Sequence, residues 1–502
     1  MERQCAAAAP PLGEPGAMQG RIGALGPVWQ YFDGGPGPAA TLLAHLGLRN
    51  VGRQARVAGR LRGRRTWTHQ EATLPRLAPR TARTATIALL AVLVMSYSGW
   101  LTWSVTTNQW NDFAVYYLSG QLYAQHGSPY TVTRAEWDKL AAADGITHYA
   151  WPYRYPPHTA ALVRLLVPLG ARGAEIAWGI ASALALIGGA LLLGRTLGGG
   201  WRTPVSLLAL LVFMPAYHTL QVGQVNAFVF AALAVGLWGL VRHRDWALGA
   251  GVAVGAALKI TPLALLVYLL WQRRWRAAIA AVASLVGLSL VLLPITGVHT
   301  YFQYASSAFS LTRPDLVSVS PGIDSVRAFI GRLVLPGNAS TLTDSGADVA
   351  SAATLVVVVL VAVTAALLWR RRHEDHDTGD LAAPQEFSMV IVLSLIVPFF
   401  TYYHQYVLLL VPLMVVVDKL WEQRRRGLPA LLAILVLLVS AEQIVWTHAR
   451  SFVIAHGLWR ALTFPFVLSI VLLSISAVAV WDVRWRPVLS GLRSRRVTVH
   501  SR

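Results

Sequence analysis

The chain has 502 residues, of which 55% are hydrophobic and 13% are charged, and its mean hydropathy is +0.50. Soluble globular proteins carry about 25% charged residues, so this composition excludes an ordinary soluble protein and predicts a polytopic membrane protein. The net charge of +20 does not indicate nucleic-acid binding, because the arginines form short clusters between apolar runs, as topology determinants do.

Residues 1–83 are predicted to form a disordered, basic cytoplasmic tail. Residues 1–40 lack the continuous apolar core of a cleavable signal peptide. Between Arg49 and Arg83 the tail holds ten arginines and a single acid, Glu71, which by the positive-inside rule keeps it in the cytoplasm. The single cysteine, Cys5, excludes an internal disulfide and a thiolate metal cluster.

Apolar runs of about 20 residues are long enough to span a bilayer. The clear runs are 84–104, 173–197, 204–220, 225–241, 275–297, 349–370, 428–446 and 457–481. Two more apolar regions, 246–271 and 387–418, are interrupted by the polar stretches KITP (259–262) and TYYH (401–404). Segment 158–169 is best interpreted as a re-entrant or interfacial helix.

Charge decides how the two interrupted regions cross. If each is a hairpin of two short helices, every arginine-rich cluster, including the C-terminal tail 482–502, lies on the cytoplasmic side. The sequence therefore predicts an all-α protein with about 12 crossings, several of them short or broken. The membrane domain is expected to cover residues 84–481, with outer loops 105–172 and 298–348 and both termini in the cytoplasm.

This topology brings unusual polar residues together at the outer surface. The stretch NDFAVYYLSGQLYAQHGSPY (111–130) supplies a carboxylate, Asp112. The other predicted members are Arg154, His218, Gln221, Gln224, Asn226, Lys259, Tyr402, Tyr403 and His404, with Arg313, Arg327 and Arg332 in the 298–348 loop. A carboxylate can deprotonate an attacking hydroxyl while cations offset the charge of a departing phosphate, as transfer from a lipid-linked phosphate donor requires.

Each of these residues also has a structural interpretation. Asp112 could cap a helix, and Lys259 could extend to the membrane interface. His218 and His404 could be satisfied structural histidines, and Tyr116, Tyr117, Tyr402 and Tyr403 fit an aromatic belt at the interface. The remaining histidines have no metal-ligand spacing, so neither a metal nor another cofactor is expected.

The order of the motifs resembles glycosyltransferase family 87, the polyprenol-phosphate-mannose-dependent mannosyltransferases of the GT-C class. The matching stretches are NDFAVYY with GSPY, YRYPPH, GQVNAF, ALGAGVAVGAALKITPLALL with QRRWR, and YYHQYVLLLVPL, within residues 84–418. The resemblance implies a GT-C fold with an extracytoplasmic active site and a polyprenyl-phosphate sugar donor.

The resemblance also implies roles for individual residues. Asp112 would be the general base in an inverting transfer that gives an α-linked mannoside to a lipid or glycan acceptor. Donor binding would fall to Lys259, Gln224, Asn226, His218, His404, Arg154 and Tyr155. This sequence has Asn111 beside Asp112, where many GT-C enzymes have a second acid.

Two other functions fit parts of the pattern. A glycan polymerase or ligase acting on a polyprenyl-diphosphate-linked chain would use cations of the 298–348 loop, namely Arg313, Arg327 and Arg332. A lipid-linked glycan flippase fits less well, because transporters tend to have internal repeats and polar residues near the bilayer midplane. The sequence does not identify the acceptor.

Overall fold

The computed structural model describes residues 79–107, 111–147, 149, 152–310, 316–318, 322–334, 342–344, 346–369, 376–398, 400–425 and 427–484. Residues 1–73 form a separate unit that lies outside this range, and everything below belongs to the second unit, 74–502. Most of the two predicted tails therefore lies outside the described residues.

The described chain is built from helices, numbered here in chain order. The first ten are α1 (Pro79–Thr107), α2 (Asn111–Ala124), α3 (Arg134–Ala143), α4 (Pro157–Arg164), α5 (Gly170–Thr196), α6 (Arg202–Val212), α7 (Met214–Gln221), α8 (Asn226–Val241), α9 (Asp245–Leu258) and α10 (Leu263–Trp271). The rest are α11 (Trp275–Thr296), α12 (Val298–Ser310), α13 (Val326–Val334), α14 (Gly346–Leu368), α15 (His376–Ile396), α16 (Leu410–Glu422), α17 (Gly427–His448), α18 (Arg450–Ala455) and α19 (Phe464–Arg484).

Short elements complete the architecture. Three 3-10 helices cover Val167–Leu169, Tyr403–Leu409 and Leu458–Ala461. Strands β1 (Leu316–Ser318) and β2 (Leu342–Asp344) pair antiparallel, with Val317 opposite Thr343. This three-residue ribbon lies in the predicted 298–348 loop and leaves the all-α class unchanged.

The predicted class of protein, a polytopic membrane protein, is confirmed. Seven of the described helices are long and apolar enough to cross a bilayer, or eight if the bent pair α6 and α7 forms one span. Shorter apolar helices cover Asn226–Val241, Asp245–Leu258 and Ala382–Ile396. The chain is thus an all-α multi-pass membrane protein, and the figure of about 12 crossings remains a prediction.

The predicted span 204–220 corresponds to α6 and α7, which are separated at Phe213 by a bend of 59°. Pro215 lies in the first turn of α7 and cannot continue the preceding hydrogen-bond ladder. The Ser440 hydroxyl fills the break, accepting from Met214 N at 3.1 Å and donating to Val212 O at 2.7 Å. A side chain from α17 therefore satisfies backbone groups that the bend leaves open.

The first predicted hairpin is present as α9 and α10. Lys259 ends α9 in an extended conformation, and Pro262 precedes α10. Glycines let α9 approach its neighbours closely: a methyl group on Gly251 would lie 2.6 Å from Ala232 O of α8, and one on Gly249 would lie 2.5 Å from Ala277 O of α11. Small residues at such contacts are typical of helices packed in membranes.

The second predicted hairpin also breaks at TYYH, but its limbs differ from the expected 387–400 and 405–418. The first limb, α15, runs from His376 to Ile396 and contains Pro384. The second begins as the 3-10 helix Tyr403–Leu409 and continues as α16. Its residues form a span of adequate length, Tyr403–Glu422, so the limb is not the short helix that we expected.

The predicted segment 158–169 is the short helix α4 followed by a 3-10 turn that leads into α5. At eight residues α4 is too short to cross a bilayer. It packs closely on α2, since a methyl group on Gly120 would lie 2.9 Å from Arg164 N.

Candidate active site

Asp112 lies in the first turn of α2, and its helix end is capped by another part of the chain. The backbone amides of Asp112 and Phe113 both donate to Val222 O, at 3.2 and 3.1 Å. The open amides of this first turn therefore need no side-chain cap, and the Asp112 carboxylate turns instead to Gln224. The helix-cap interpretation of Asp112 does not describe its contacts.

Gln224 is the centre of the polar network around Asp112. Its side-chain Nε2 donates to Asp112 Oδ2 at 2.7 Å and to the Tyr155 hydroxyl at 2.7 Å. Its Oε1 accepts from the Tyr116 hydroxyl at 3.0 Å. With 1% of its surface exposed, Gln224 is buried and its amide orientation is fixed by three partners.

Lys259 lies at the same site, on the α9–α10 turn. Its Nζ donates to Asn226 Oδ1 at 3.0 Å and stands 5.8 Å from the centroid of the Tyr155 ring. Removal from water lowers the pKa of Lys259 from 10.5 to about 7, while the charge of Asp112 opposes that fall. Burial raises the pKa of Asp112, against the hydrogen bond from Gln224 and the charge of Lys259.

The YRYPPH stretch holds Tyr155 and the Lys259 turn in place. The Tyr153 hydroxyl donates to Pro156 O at 2.9 Å and accepts from Ala160 N at 3.1 Å. Thr159 donates to Leu258 O at 3.0 Å, which fixes the residue immediately before Lys259. The loop that carries Tyr155 is therefore braced on the end of α9.

His218, Tyr402 and His404 border the same network. The His218 and His404 rings are 5.7 Å apart, and Tyr402 stacks on His404 with centroids 5.7 Å apart and planes 12° from parallel. The charge of Lys259 acts on His404, while the Tyr402 hydroxyl is within electrostatic reach of Asp112 and Arg154. The structure thus brings the predicted site residues together, with Arg154 exposed at the edge.

Three buried polar atoms near this network have no hydrogen-bond partner among the described residues: His218 Nδ1, Asn226 Nδ2 and Thr261 Oγ1. Buried polar groups are nearly always paired with protein, water or a ligand. These atoms can therefore bind a polar ligand beside Lys259.

The arginines that favoured a ligase are placed differently. Arg332 is 1% exposed, and its Nη1 donates to Asp324 Oδ1 at 2.9 Å and to Leu462 O at 2.6 Å. Arg327 is also buried, and Arg313 lies outside the described residues. Since Arg332 is satisfied within the protein, its predicted role as an exposed anion-binding cation is wrong.

Sequence reasoning missed contributors that pack behind the site. Trp178 donates from Nε1 to Gly223 O at 2.7 Å, and its ring packs on Phe113, Tyr116 and Phe228. The signal in the sequence was weak, because Trp178 lies five residues into the predicted span 173–197, where a tryptophan is also typical of an interface anchor. Tyr116, which the belt interpretation placed at the interface, is fully buried.

Together these groups can support proton abstraction beside a bound anion. Asp112 can accept a proton, Gln224 orients it, and the Lys259 ammonium stands on the same network without a direct hydrogen bond to Asp112 in the described structure. Such a pairing of a base with a nearby cation suits a reaction that releases a charged leaving group.

Comparison with known proteins agrees with this chemistry. The family model "Glycosyltransferase family 87" matches residues 153–398, a range that contains Tyr155, Gln224 and Lys259 but not Asp112 or His404. A relative from Mycobacterium tuberculosis (strain CDC 1551 / Oshkosh) is named polyprenol-phosphate-mannose-dependent alpha-(1-2)-phosphatidylinositol pentamannoside mannosyltransferase.

The chain is 28% identical to this relative over 221 residues, which cover 41% of the chain and 48% of the relative. It thus spans about half the length of the curated relative that it matches. The family match, this relative and the apolar helical architecture together support membership of the chain in glycosyltransferase family 87.

Proposed function

We propose that the protein transfers a mannosyl group from a polyprenyl-phosphate donor to an acceptor hydroxyl on the extracytoplasmic face of the membrane. The observation that carries this proposal is the network in which Gln224 holds Asp112 while Lys259, bonded to Asn226, stands beside it. The names of the family and of the relative support the reaction class, the donor and its sugar.

In the proposed reaction, Asp112 removes the proton of the acceptor hydroxyl as its oxygen attacks the anomeric carbon of the donor. The bond from that carbon to the phosphate oxygen breaks, and the polyprenyl phosphate leaves with the electron pair. Attack from the face opposite the phosphate inverts the centre, so a β-linked donor gives an α-linked product. The word "alpha" in the relative's name agrees with this outcome.

The positive charge of Lys259 supports its proposed role in binding the phosphate of the donor. A cation in a site shielded from water stabilises a departing anion much more strongly than it would in water. Asn226, which accepts from Lys259, has an Nδ2 without a partner among the described residues, and this group can add a hydrogen bond to the phosphate. His218 Nδ1 also lacks a partner there, and its ring lies 5.7 Å from that of His404. Arg154 and Tyr155 complete the donor-side residues that we propose.

The orientation of the protein follows from its charge pattern and is part of the proposal. With the arginine clusters and both termini in the cytoplasm, the α9–α10 and TYYH turns lie at the outer surface. The donor can then keep its polyprenyl chain in the bilayer while its phosphate reaches Lys259.

The test uses the full chain reconstituted in liposomes with radiolabelled polyprenyl-phosphate mannose and a lipid extract as acceptor. Wild type is expected to transfer label, and Asp112→Asn to lose at least about a thousandfold of that rate, since a neutral amide cannot accept the proton. Asp138→Asn is the matched control, because Asp138 is an exposed acid paired with Arg134 away from the network. Equal transfer by Asp112→Asn and wild type would exclude Asp112 as the base, and no transfer by wild type would refute the proposed activity.

A further inference from the structure

Tyr402 differs from its neighbours in the TYYH turn. Its side chain is 44% exposed, whereas Thr401, Tyr403 and His404 are buried. Its ring lies nearly parallel to that of His404, with centroids 5.7 Å apart. An interface anchor needs only to reach the membrane surface, but this ring packs beside His404, whose backbone carbonyl accepts from Thr219 on α7 at 2.8 Å.

The backbone of Tyr402 is held by an outer segment, residues 322–334. Tyr402 forms an antiparallel bridge with Ile323, in which Tyr403 N donates to Gly322 O at 2.7 Å and Asp324 N donates to Thr401 O at 2.9 Å. Tyr402 is therefore an exposed side chain on a backbone that is fixed on both sides.

A buried ion pair anchors the outer segment in turn. Arg332 is bonded to Asp324, to Ile323 O and to Leu462 O, so one guanidinium joins the segment to the linker that precedes α19. The Tyr406 hydroxyl donates to Asp324 O, and the Phe329 ring stacks on Phe466 at 4.7 Å. Removing one partner of such a buried pair is strongly destabilising, so the segment is firmly held.

We infer that Tyr402 is the platform on which a sugar ring of the acceptor stacks, and that Arg332 is a positioning residue for it. The apolar C–H face of a pyranose ring packs well on an aromatic face, and the Tyr402 ring is exposed while it packs beside His404. This inference rests on the proposed function. It also replaces the aromatic-belt interpretation of Tyr402.

The position of Tyr402 favours the acceptor over the donor sugar. In an inverting transfer the base contacts the acceptor hydroxyl, and the phosphate lies on the opposite face of the reacting carbon. The turn that carries Tyr402 is tied to Gln224, the partner of Asp112: Thr219 Oγ1 donates to His404 O at 2.8 Å, and Thr219 O accepts from Gln224 N at 2.9 Å. Lys259 is instead bonded to Asn226 on α8. A ring stacked on Tyr402 is thus placed on the side of the base.

The test compares Tyr402→Ala and Tyr402→Phe in reconstituted full-length protein, with polyprenyl-phosphate mannose as donor and octyl α-mannoside as the acceptor probe. Tyr402→Ala is expected to raise the KM for octyl α-mannoside about tenfold, the order of magnitude of one lost ring-stacking contact, with less than about a twofold change in donor KM. Tyr402→Phe keeps the ring and is expected to resemble wild type. Trp481→Ala, which removes an equally exposed aromatic side chain from α19, is the matched control and should change neither KM.

The positioning role of Arg332 is tested by a double-mutant cycle. Arg332→Lys should raise the acceptor KM when Tyr402 is present and add little when Tyr402 is already alanine. Arg134→Lys, at an exposed ion pair, is its control.

Three results are decisive. An unchanged acceptor KM in Tyr402→Ala, or a rise confined to the donor KM, would overturn the platform. Additive effects of the two substitutions would overturn the positioning role of Arg332. Absence of transfer by wild type to both octyl α-mannoside and a lipid extract would instead refute the proposed function.

Discussion

Replacing Gln224 by methionine is expected to move the pH dependence of transfer while keeping a side chain of similar length. The 2.7 Å bond from Gln224 Nε2 stabilises the ionised form of Asp112, whose pKa burial raises. A hydrogen bond to a charged group contributes about 1.5–3 kcal/mol, and one pKa unit corresponds to about 1.4 kcal/mol. Loss of this bond should therefore raise the pKa of Asp112 further and lower the rate on the acid side by about tenfold to a hundredfold.

The sign of the effect on rate follows from the proposed role of Asp112 as a base. A higher pKa leaves less ionised Asp112 at acidic pH, so the rate falls on the acid side and recovers as pH rises. The assay is kcat/KM for the donor across pH 5–9 in liposomes, for wild type, Gln224→Met and Gln443→Met. Gln443 is half-buried on α17, where its side chain contacts Thr447, and it serves as the matched control.

One result would refute this reasoning. If Gln224→Met lowers the rate equally at every pH, the bond does not tune Asp112, and Gln224 acts through Tyr116 or Tyr155 instead. Thermal unfolding in detergent, measured alongside, reports the separate cost of leaving those two tyrosine hydroxyls without a partner.

Other substitutions test neighbouring parts of the structure. Because the pKa of Lys259 is lowered to about 7, its positive charge is lost as the pH rises through that value, and wild-type kcat/KM should fall on the alkaline side. Lys259→Arg should move this fall above pH 9. A fall that stays at the same pH in the variant would exclude Lys259 as its source. Trp178→Phe keeps most ring contacts but loses the hydrogen bond to Gly223 O, which we expect to position the Gln224 turn, so kcat should drop about tenfold. An unchanged kcat would show that this bond does not position the turn. Gly251→Ala should reduce the folded yield severely, because its methyl group would lie 2.6 Å from Ala232 O. The control, Gly287→Ala, places its methyl group in open space and should express normally. Similar yields of the two variants would contradict the close α8–α9 packing.

The sequence predicted those parts of the fold that depend on local chemistry and charge. KITP ends α9 because proline cannot continue the helix, and TYYH likewise marks a real break between α15 and the next limb. Placing the arginines on one side put Asp112, Gln224 and Lys259 on the other, and the structure brings all three into one network.

Contacts between segments that are far apart in the sequence could not be predicted in this way. The bend at Phe213 depends on Ser440, which lies far along the chain, and the cap of α2 depends on a carbonyl, Val222 O, that any residue could supply. In the sequence, Arg332 looked like an exposed loop cation, because nothing there marks Asp324 as its partner in the folded protein.

The way in which Asp112 and Lys259 are held explains how one small site can carry both a base and a cation. A direct ion pair would lower the pKa of a carboxylate by about 1–3 units and so weaken it as a base. Here a neutral amide, Gln224, orients Asp112, and another, Asn226, accepts from Lys259. The two charges then attract each other without neutralising each other, which leaves Asp112 basic enough to take a proton and Lys259 available to a phosphate. The short turn GQVN, which supplies both amides, is on this argument the element that separates the acceptor side of the site from the donor side.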